Sequence, residues 1–319
     1  PYANIDCINP MRAAIHSADQ VTTVSPNYAD EICRADNAVE GFFGGRGLEK
    51  DFRELRIAGR LTGITNGIDL NFYDPAILPH AYSAASRAAG KLRNREALWQ
   101  ELPHLLAGFR ESESLTEESI ADTLARLGRT DEQHFMTKPL MVAVTRMTGQ
   151  KIRQFFDEAE GKSVLRHLME TGANYVFLGK GDMAPQMSHE IAPAGNMFFL
   201  CGFDDNLEKR LYAAADAMLM PSDFEPCGTS QMKSMRYGCV PIAARVGGLA
   251  NTIINEHNGF LYDGASRTEK ASAFLQKIRH VIALHNEEPE ALLKMQANAM
   301  VTDFSWNEAA ASYLRLMRQ

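Results

Sequence analysis

The chain has 319 residues, 45% of them hydrophobic and 23% charged, which suits one large or two smaller soluble globular domains with an ordinary core. Lys and Arg number 33 against 40 Asp and Glu, a formal net charge of -7, so no global basic field exists to hold a nucleic acid. Cys7, Cys33, Cys201, Cys227 and Cys239 are odd in number and never spaced Cys-x-x-Cys, which argues against a disulfide framework and a structural zinc site, and no apolar stretch nears the roughly 20 residues that cross a bilayer.

In chain order, residues 20–24 read as a short β-branched strand. Ser25 and Pro26 then have the chemistry of an N-cap and first helical residue, with a helix from about Asn27 toward Cys33. Residues 41–47 are glycine-rich but lack the Gly-Lys-Ser/Thr ending of a phosphate-binding loop, and read as a flexible surface loop. Thr65-Asn66-Gly67 has turn chemistry. Across 71–138, Pro75, Pro79 and Pro103 punctuate the chain, and Ile120, Leu124 and Leu127 fall at helical spacing; this predicts a connecting region with amphipathic helices. From Leu140 onward strands and helices alternate, with apolar runs at 141–144, 175–178, 197–200, 217–220 and 240–243. Such alternation predicts a doubly wound parallel sheet whose ligands sit at the carboxyl ends of its strands. At the tail, Ser305 with Glu308 predicts a capping box, and Ala309, Ala310, Tyr313, Leu314 and Met317 give the helix an apolar side.

The run 221–231, Pro-Ser-Asp-Phe-Glu-Pro-Cys-Gly-Thr-Ser-Gln, carries the most chemistry. A buried strand, a tight turn and a new helix set Glu225 at the rim of the sheet and leave the N–H groups of Gly228, Thr229 and Ser230 pointing outward, a geometry that suits an anion. Arg146 and Lys151 follow the strand ending near Thr145, where side chains reach the same edge and can donate to phosphate oxygens, Arg as a planar fork and Lys as a point charge. Cys227 reads as a small packed hydrophobe and the methionines at 218, 220, 232 and 235 as core. The nine His form no metal-binding pattern, so chemistry without a metal or other cofactor is expected.

Glu225-Pro226-Cys227-Gly228, followed by Arg236-Tyr237-Gly238-Cys239-Val240-Pro241 and Gly247-Gly248-Leu249-Ala250-Asn251-Thr252, closely resembles the signature of bacterial glycogen synthases and plant starch synthases. The blocks at 18–26, 63–69, 145–151 and 303–306 agree in order. The resemblance implies a GT-B fold with a complete C-terminal Rossmann-like nucleotide-sugar domain at 139–300. It further implies the end of an N-terminal Rossmann-like domain at 1–70, a helical connection at 71–138, and a closing helix at 301–319 that packs back toward the N-terminal domain. It casts Arg146 and Lys151 as diphosphate ligands, Glu225 as the glutamate beside the transferred glucose, Phe203 against adenine, Cys227, Gly228, Thr229 and Ser230 at the donor, and Asn66 at the hinge. Met232 stands where many related enzymes carry a second glutamate, a departure shared with the glycogen and starch synthases.

The implied reaction is transfer of glucose from ADP-glucose, with UDP-glucose as the other donor, to the non-reducing end of an α-1,4-glucan with retention. No metal, nucleic acid or membrane is involved, and the setting is the cytoplasm, or a plastid in a plant-type organism. The family's Lys-Thr-Gly-Gly-Leu element has no counterpart in this sequence, so the chain is expected to be part of a longer protein and inactive alone. The alternatives are a non-catalytic nucleotide-sugar-binding module or another GT-B enzyme such as a glucan phosphorylase.

Overall fold

The computed structural model describes residues 9–37, 41–109 and 131–318. Its strands are β1 (Val21–Thr23), β2 (Leu61–Gly63), β3 (Leu140–Val144), β4 (Glu158–Ala159), β5 (Lys162–Ser163), β6 (Asn174–Gly179), β7 (Met197–Cys201), β8 (Ala217–Met220), β9 (Val240–Ala244) and β10 (Phe260–Tyr262). Six form one parallel sheet in the order β10-β9-β8-β3-β6-β7. Every residue of β3, β6, β8 and β9 is buried. Helices cover both faces of such a sheet, which is why its strands are continuous apolar runs rather than alternating patterns. The five predicted strands are therefore all present. β10 and the β4–β5 hairpin were not predicted, because strands of three residues and of two carry no periodic signal. Among the described residues no helix is long and apolar enough to cross a membrane.

β1 and β2 pair in parallel beside a separate small core of Ile15, Ala29, Ile32, Leu55 and Leu61. The helix Pro26–Glu31 starts as expected: the Ser25 hydroxyl accepts the Tyr28 N–H at 3.2 Å, and Pro26 occupies the first helical turn. The glycine-rich segment at 41–47 is not a flexible surface loop. Gly44 donates to Asp36 and Gly45 to the Arg34 carbonyl, a Cβ on Gly44 would lie 2.0 Å from that carbonyl, and Phe43 packs on Phe224 with ring centroids 5.4 Å apart. These glycines permit close backbone approach.

The described part of the connection at 71–138 holds helices, as read, but Pro103 does not interrupt them. Residues Arg87–Gly108 form one helix that runs through Pro103, and its Leu98 and Leu102 lie fully inside the main core. An interior proline costs roughly 3 kcal/mol, and two fully buried leucines outweigh it at about 1.5–3 kcal/mol each. The predicted Ile120, Leu124 and Leu127 stripe lies outside the described residues.

The same helix buries two cations. Arg95 pairs with Asp216 at 2.7 Å and donates to the carbonyls of Ala214 and Lys138, while Asp216 accepts the Leu140 N–H at 2.9 Å. Lys91 donates to the carbonyls of Tyr212 and Tyr237, and burial pushes its amine down to about 8. Burial raises the Asp216 carboxyl, but Arg95, His285 and the Leu140 N–H outweigh it and hold the group below its ordinary value.

The closing helix spans Trp306–Leu316, yet the expected capping box does not form. Ser305 makes no side-chain cap, its hydroxyl is buried without a partner, and its N–H goes to Asp303 at 2.7 Å. Of the predicted apolar side only Ala309 is buried, and Leu314 and Met317 stand 53% and 80% exposed. The backbone joins the rest at Ile68, whose N–H donates to the Phe304 carbonyl.

Arg95→Met leaves Asp216 buried without its counter-ion and is expected to cost about 3–5 kcal/mol in urea unfolding, with the double variant carrying Asp216→Asn recovering part of the loss. Because the folded-state carboxyl lies below its unfolded value, its contribution is complete above that value and is lost as pH falls through the folded one. The stability gap between wild type and Asp216→Asn should therefore be widest near neutrality and narrow below about pH 4.

Candidate functional site

β3 and β8 are neighbours, but the chain reaches β8 only after running outward through β6 and β7 and crossing back over β3. The sheet reverses direction between these two strands, and the crevice beyond their carboxyl ends is where ligands of such folds bind. The loops leaving β3 and β8 are fastened together there. Asp223 donates its N–H to the Gln150 carbonyl at 2.9 Å, Gln150 returns a bond to Phe224 at 3.0 Å, and Gln154 holds Asp223 while accepting from the Tyr262 hydroxyl.

Lys151 lies in the turn Gly149–Ile152 and is only 7% exposed, with its ammonium on the Glu225 carboxylate. Lys151 is thus interior rather than a surface cation. Glu225 is fixed from its backbone as well, since its carbonyl accepts the Gly248 N–H at 3.0 Å. A Cβ on Gly247 would stand 2.0 Å from that carbonyl, so the approach requires glycine. The chain then turns through Gly228, at φ +69°, into the helix Ser230–Arg236. Thr229, at the N-cap, makes no side-chain bond, and the first N–H groups of a helix have no partner within it. Beneath the turn, buried Gln231 donates to the carbonyls of Cys227 and Gly228 and to the Thr252 hydroxyl.

These segments enclose a cavity of about 600 Å3. Arg146, Lys151, Phe203, Glu225, Gly228, Thr229 and Ser230 all line it, so seven of the nine sequence-predicted residues share one space. Phe203 is 55% exposed and offers its ring to that space. Cys227 and Asn66 are not brought to the wall. The Cys227 side chain packs with Ile68 and Met232, and burial raises its thiol despite a bond from the Asn66 backbone. Asn66 therefore supports the turn from behind.

The cavity also includes Lys180, Glu208 and Lys233, which the sequence reading missed. Lys180 follows β6 at the same sheet edge, and the rule that found Arg146 would have found it. Glu208 and Lys233 lie on different helices, and no spacing links them. Among the described residues no group of three or more His, Cys, Asp or Glu could hold a metal ion. The site can thus receive an elongated anion along Arg146, Lys151, Lys180 and Lys233, with the Glu225 carboxylate poised beside Lys151.

Comparison with known proteins agrees with this fold. The model of the glycosyl transferases group 1 family matches residues 129–300, more than half of the chain, and the starch synthase catalytic domain matches residues 1–54. A glycogen synthase of Streptococcus agalactiae serotype Ia is 33% identical over 98% of this chain and 59% of its own length. A glycogen synthase of Cereibacter sphaeroides is 32% identical over 98% of this chain and 57% of its own. The solved catalytic domain of starch synthase IV from Arabidopsis thaliana, bound to ADP and acarbose, superposes with a TM-score of 0.72 at 28% identity, covering 99% of this chain and 59% of that one. The chain thus spans less than two thirds of these relatives.

Gly228→Ala should disturb the site without unfolding the protein. The substituted residue keeps a positive φ at a cost of about 1–2 kcal/mol, and its Cβ would lie 2.5 Å from the Gln231 amide oxygen. A fall in melting temperature with retained cooperativity checks this, and an unchanged melting temperature contradicts the turn geometry.

Proposed function

The chain belongs to the group 1 family of glycosyltransferases and is homologous to bacterial glycogen synthases, and from that premise we propose that its cavity is the donor site for ADP-glucose. The observation that carries this reading is the convergence of Arg146, Lys151 and the 228–230 turn on one cavity in which Lys151 pairs with the Glu225 carboxylate. The Arabidopsis relative solved with ADP supports the same choice of nucleotide. The reaction is transfer of glucose to the non-reducing end of an α-1,4-glucan with retention of configuration, carried out by a protein of the relatives' length.

In this reading the diphosphate lies along Arg146, Lys151 and the N–H groups of the turn. Negative charge builds on it as the glycosidic bond breaks, and preorganised donors aimed at that charge lower the barrier. Lys151 has a second task. Without it, Glu225 would repel the incoming diphosphate; with it, the carboxylate is locally paired and faces the glucose. As positive character develops at the anomeric carbon, Glu225 stabilises it. Phe203 offers its face to the adenine.

Two substitutions separate the roles. Glu225→Gln removes the repulsive charge and releases Lys151 to the diphosphate, so calorimetric affinity for ADP-glucose should hold or rise a few-fold. Glucose transfer to glycogen, measured in a protein extended to the length of the relatives, should fall by about 10²–10³. Lys151→Ala leaves Glu225 unpaired beside the diphosphate, so donor affinity should drop more than in Arg146→Ala. Undiminished transfer by Glu225→Gln, or equal donor affinity in wild type and Lys151→Ala, would overturn the assignment.

A further inference from the structure

We propose that Lys233 is an additional phosphate ligand of the donor cavity, directed at the phosphate nearest the nucleoside, and that Glu208 is the residue that positions it. This rests on the donor-site reading above and deepens it. Lys233 and Glu208 both line the cavity. Glu208 belongs to the helix Asp205–Ala214, which starts two residues after Phe203, so the pair stands at the end of the cavity that Phe203 supplies. In the donor-site reading the Lys151–Glu225 pair marks the sugar end. An extended nucleoside diphosphate with its base on Phe203 and its sugar at Glu225 therefore runs past Lys233 before it reaches Lys151.

The chemistry of the pair favours a binding role over a simple tether. The Glu208 side chain is 2% exposed and the Lys233 side chain 16%, so the carboxylate is sealed while the ammonium keeps a face on the cavity. The ammonium lies 3.2 and 3.5 Å from the two Glu208 oxygens and 4.6 Å from the centre of the Tyr73 ring. An ammonium has three N–H donors. Glu208 and the Tyr73 side chain share them, and a phosphate oxygen in the cavity would take over one. Glu208 is itself held by the Tyr212 hydroxyl at 3.0 Å, so the anchor is rigid. Burial lowers the Lys233 amine, but Tyr73 and Glu208 outweigh it and raise the group above its ordinary value, which keeps it cationic at neutral pH. A nearly buried carboxylate that keeps a lysine charged and aimed at an anion cavity is the arrangement expected of a positioned phosphate ligand.

The test uses ADP, AMP and adenosine as calorimetric probes on the whole chain. Lys233→Met alone would strand a buried carboxylate, so the informative variant is Lys233→Met with Glu208→Gln, which removes both charges and keeps the volume. The expected result is a roughly tenfold loss of affinity for ADP and for AMP with adenosine unchanged, the size of one lost charge-assisted hydrogen bond. Glu208→Gln alone should weaken ADP less, and Lys233→Arg should restore part of it. Equal ADP affinity in wild type and the double variant overturns this proposal and leaves the donor site standing. A wild-type chain that binds no ADP overturns both. Parallel losses for adenosine, ADP and AMP make the pair a structural tether and also overturn the proposal.

Discussion

The buried pair between Arg95 and Asp216 is the constraint on which the geometry of the cavity depends. Asp216 immediately precedes β8, and its carboxylate takes the N–H of Leu140 at the start of β3, while Arg95 ties down the carbonyls of Ala214 and Lys138 on either side. One charged cluster therefore aligns the amino ends of the two strands between which the sheet reverses. Desolvating two ions costs several kcal/mol, and their attraction offsets it only where the remaining donors and acceptors are also satisfied. Here Arg95 meets carbonyls and Asp216 meets a backbone N–H, so the cluster is closed. With the amino ends registered, the carboxyl ends emerge side by side, and the loops bearing Arg146, Lys151 and Glu225 have little choice of position.

At that opposite edge the same economy of charge recurs with a different purpose. Lys151 with Glu225, and Lys233 with Glu208, are cation–carboxylate pairs in a partly closed space. In the first pair the lysine is the more buried partner and in the second the carboxylate is, and in each the cation also lines the cavity. A site built from unpaired lysines alone would repel itself when empty. Pairing offsets part of the positive charge of the empty cavity and lets the paired cations turn part of their hydrogen bonding to a ligand without large rearrangement.

What could be read from the sequence was what local physics decides. Ser25-Pro26 began a helix because a hydroxyl and a fixed φ suffice for it, and the five buried strands announced themselves as apolar runs. Strand–turn–helix order placed Arg146 and Glu225 at a sheet edge, and the family resemblance singled them out from other surface charges. The features that escaped depend on distant partners. Pro103 reads as a breaker until Leu98 and Leu102 are seen in the core. Ser305 and Glu308 read as a capping box, but Asp303 takes the Ser305 N–H first. The burial of Lys151 and the meeting of Glu208 with Lys233 follow only from the three-dimensional packing of separate segments.

The small β1–β2 unit completes the definition of the site from the other side of the crevice. Ser25 donates to the Pro226 carbonyl, Glu31 accepts the Gly247 N–H at 2.8 Å, and Tyr28 and Phe43 press on Phe224. Each contact lands on a residue adjoining Glu225, or on the glycine whose backbone crosses it. Glu225 is therefore clasped between Lys151 on one side and the Ser25–Glu31 segment on the other. Any motion that opens the crevice must release the turn that carries the carboxylate. In the donor-site reading, approach of the two units and alignment of Glu225 are coupled through these contacts.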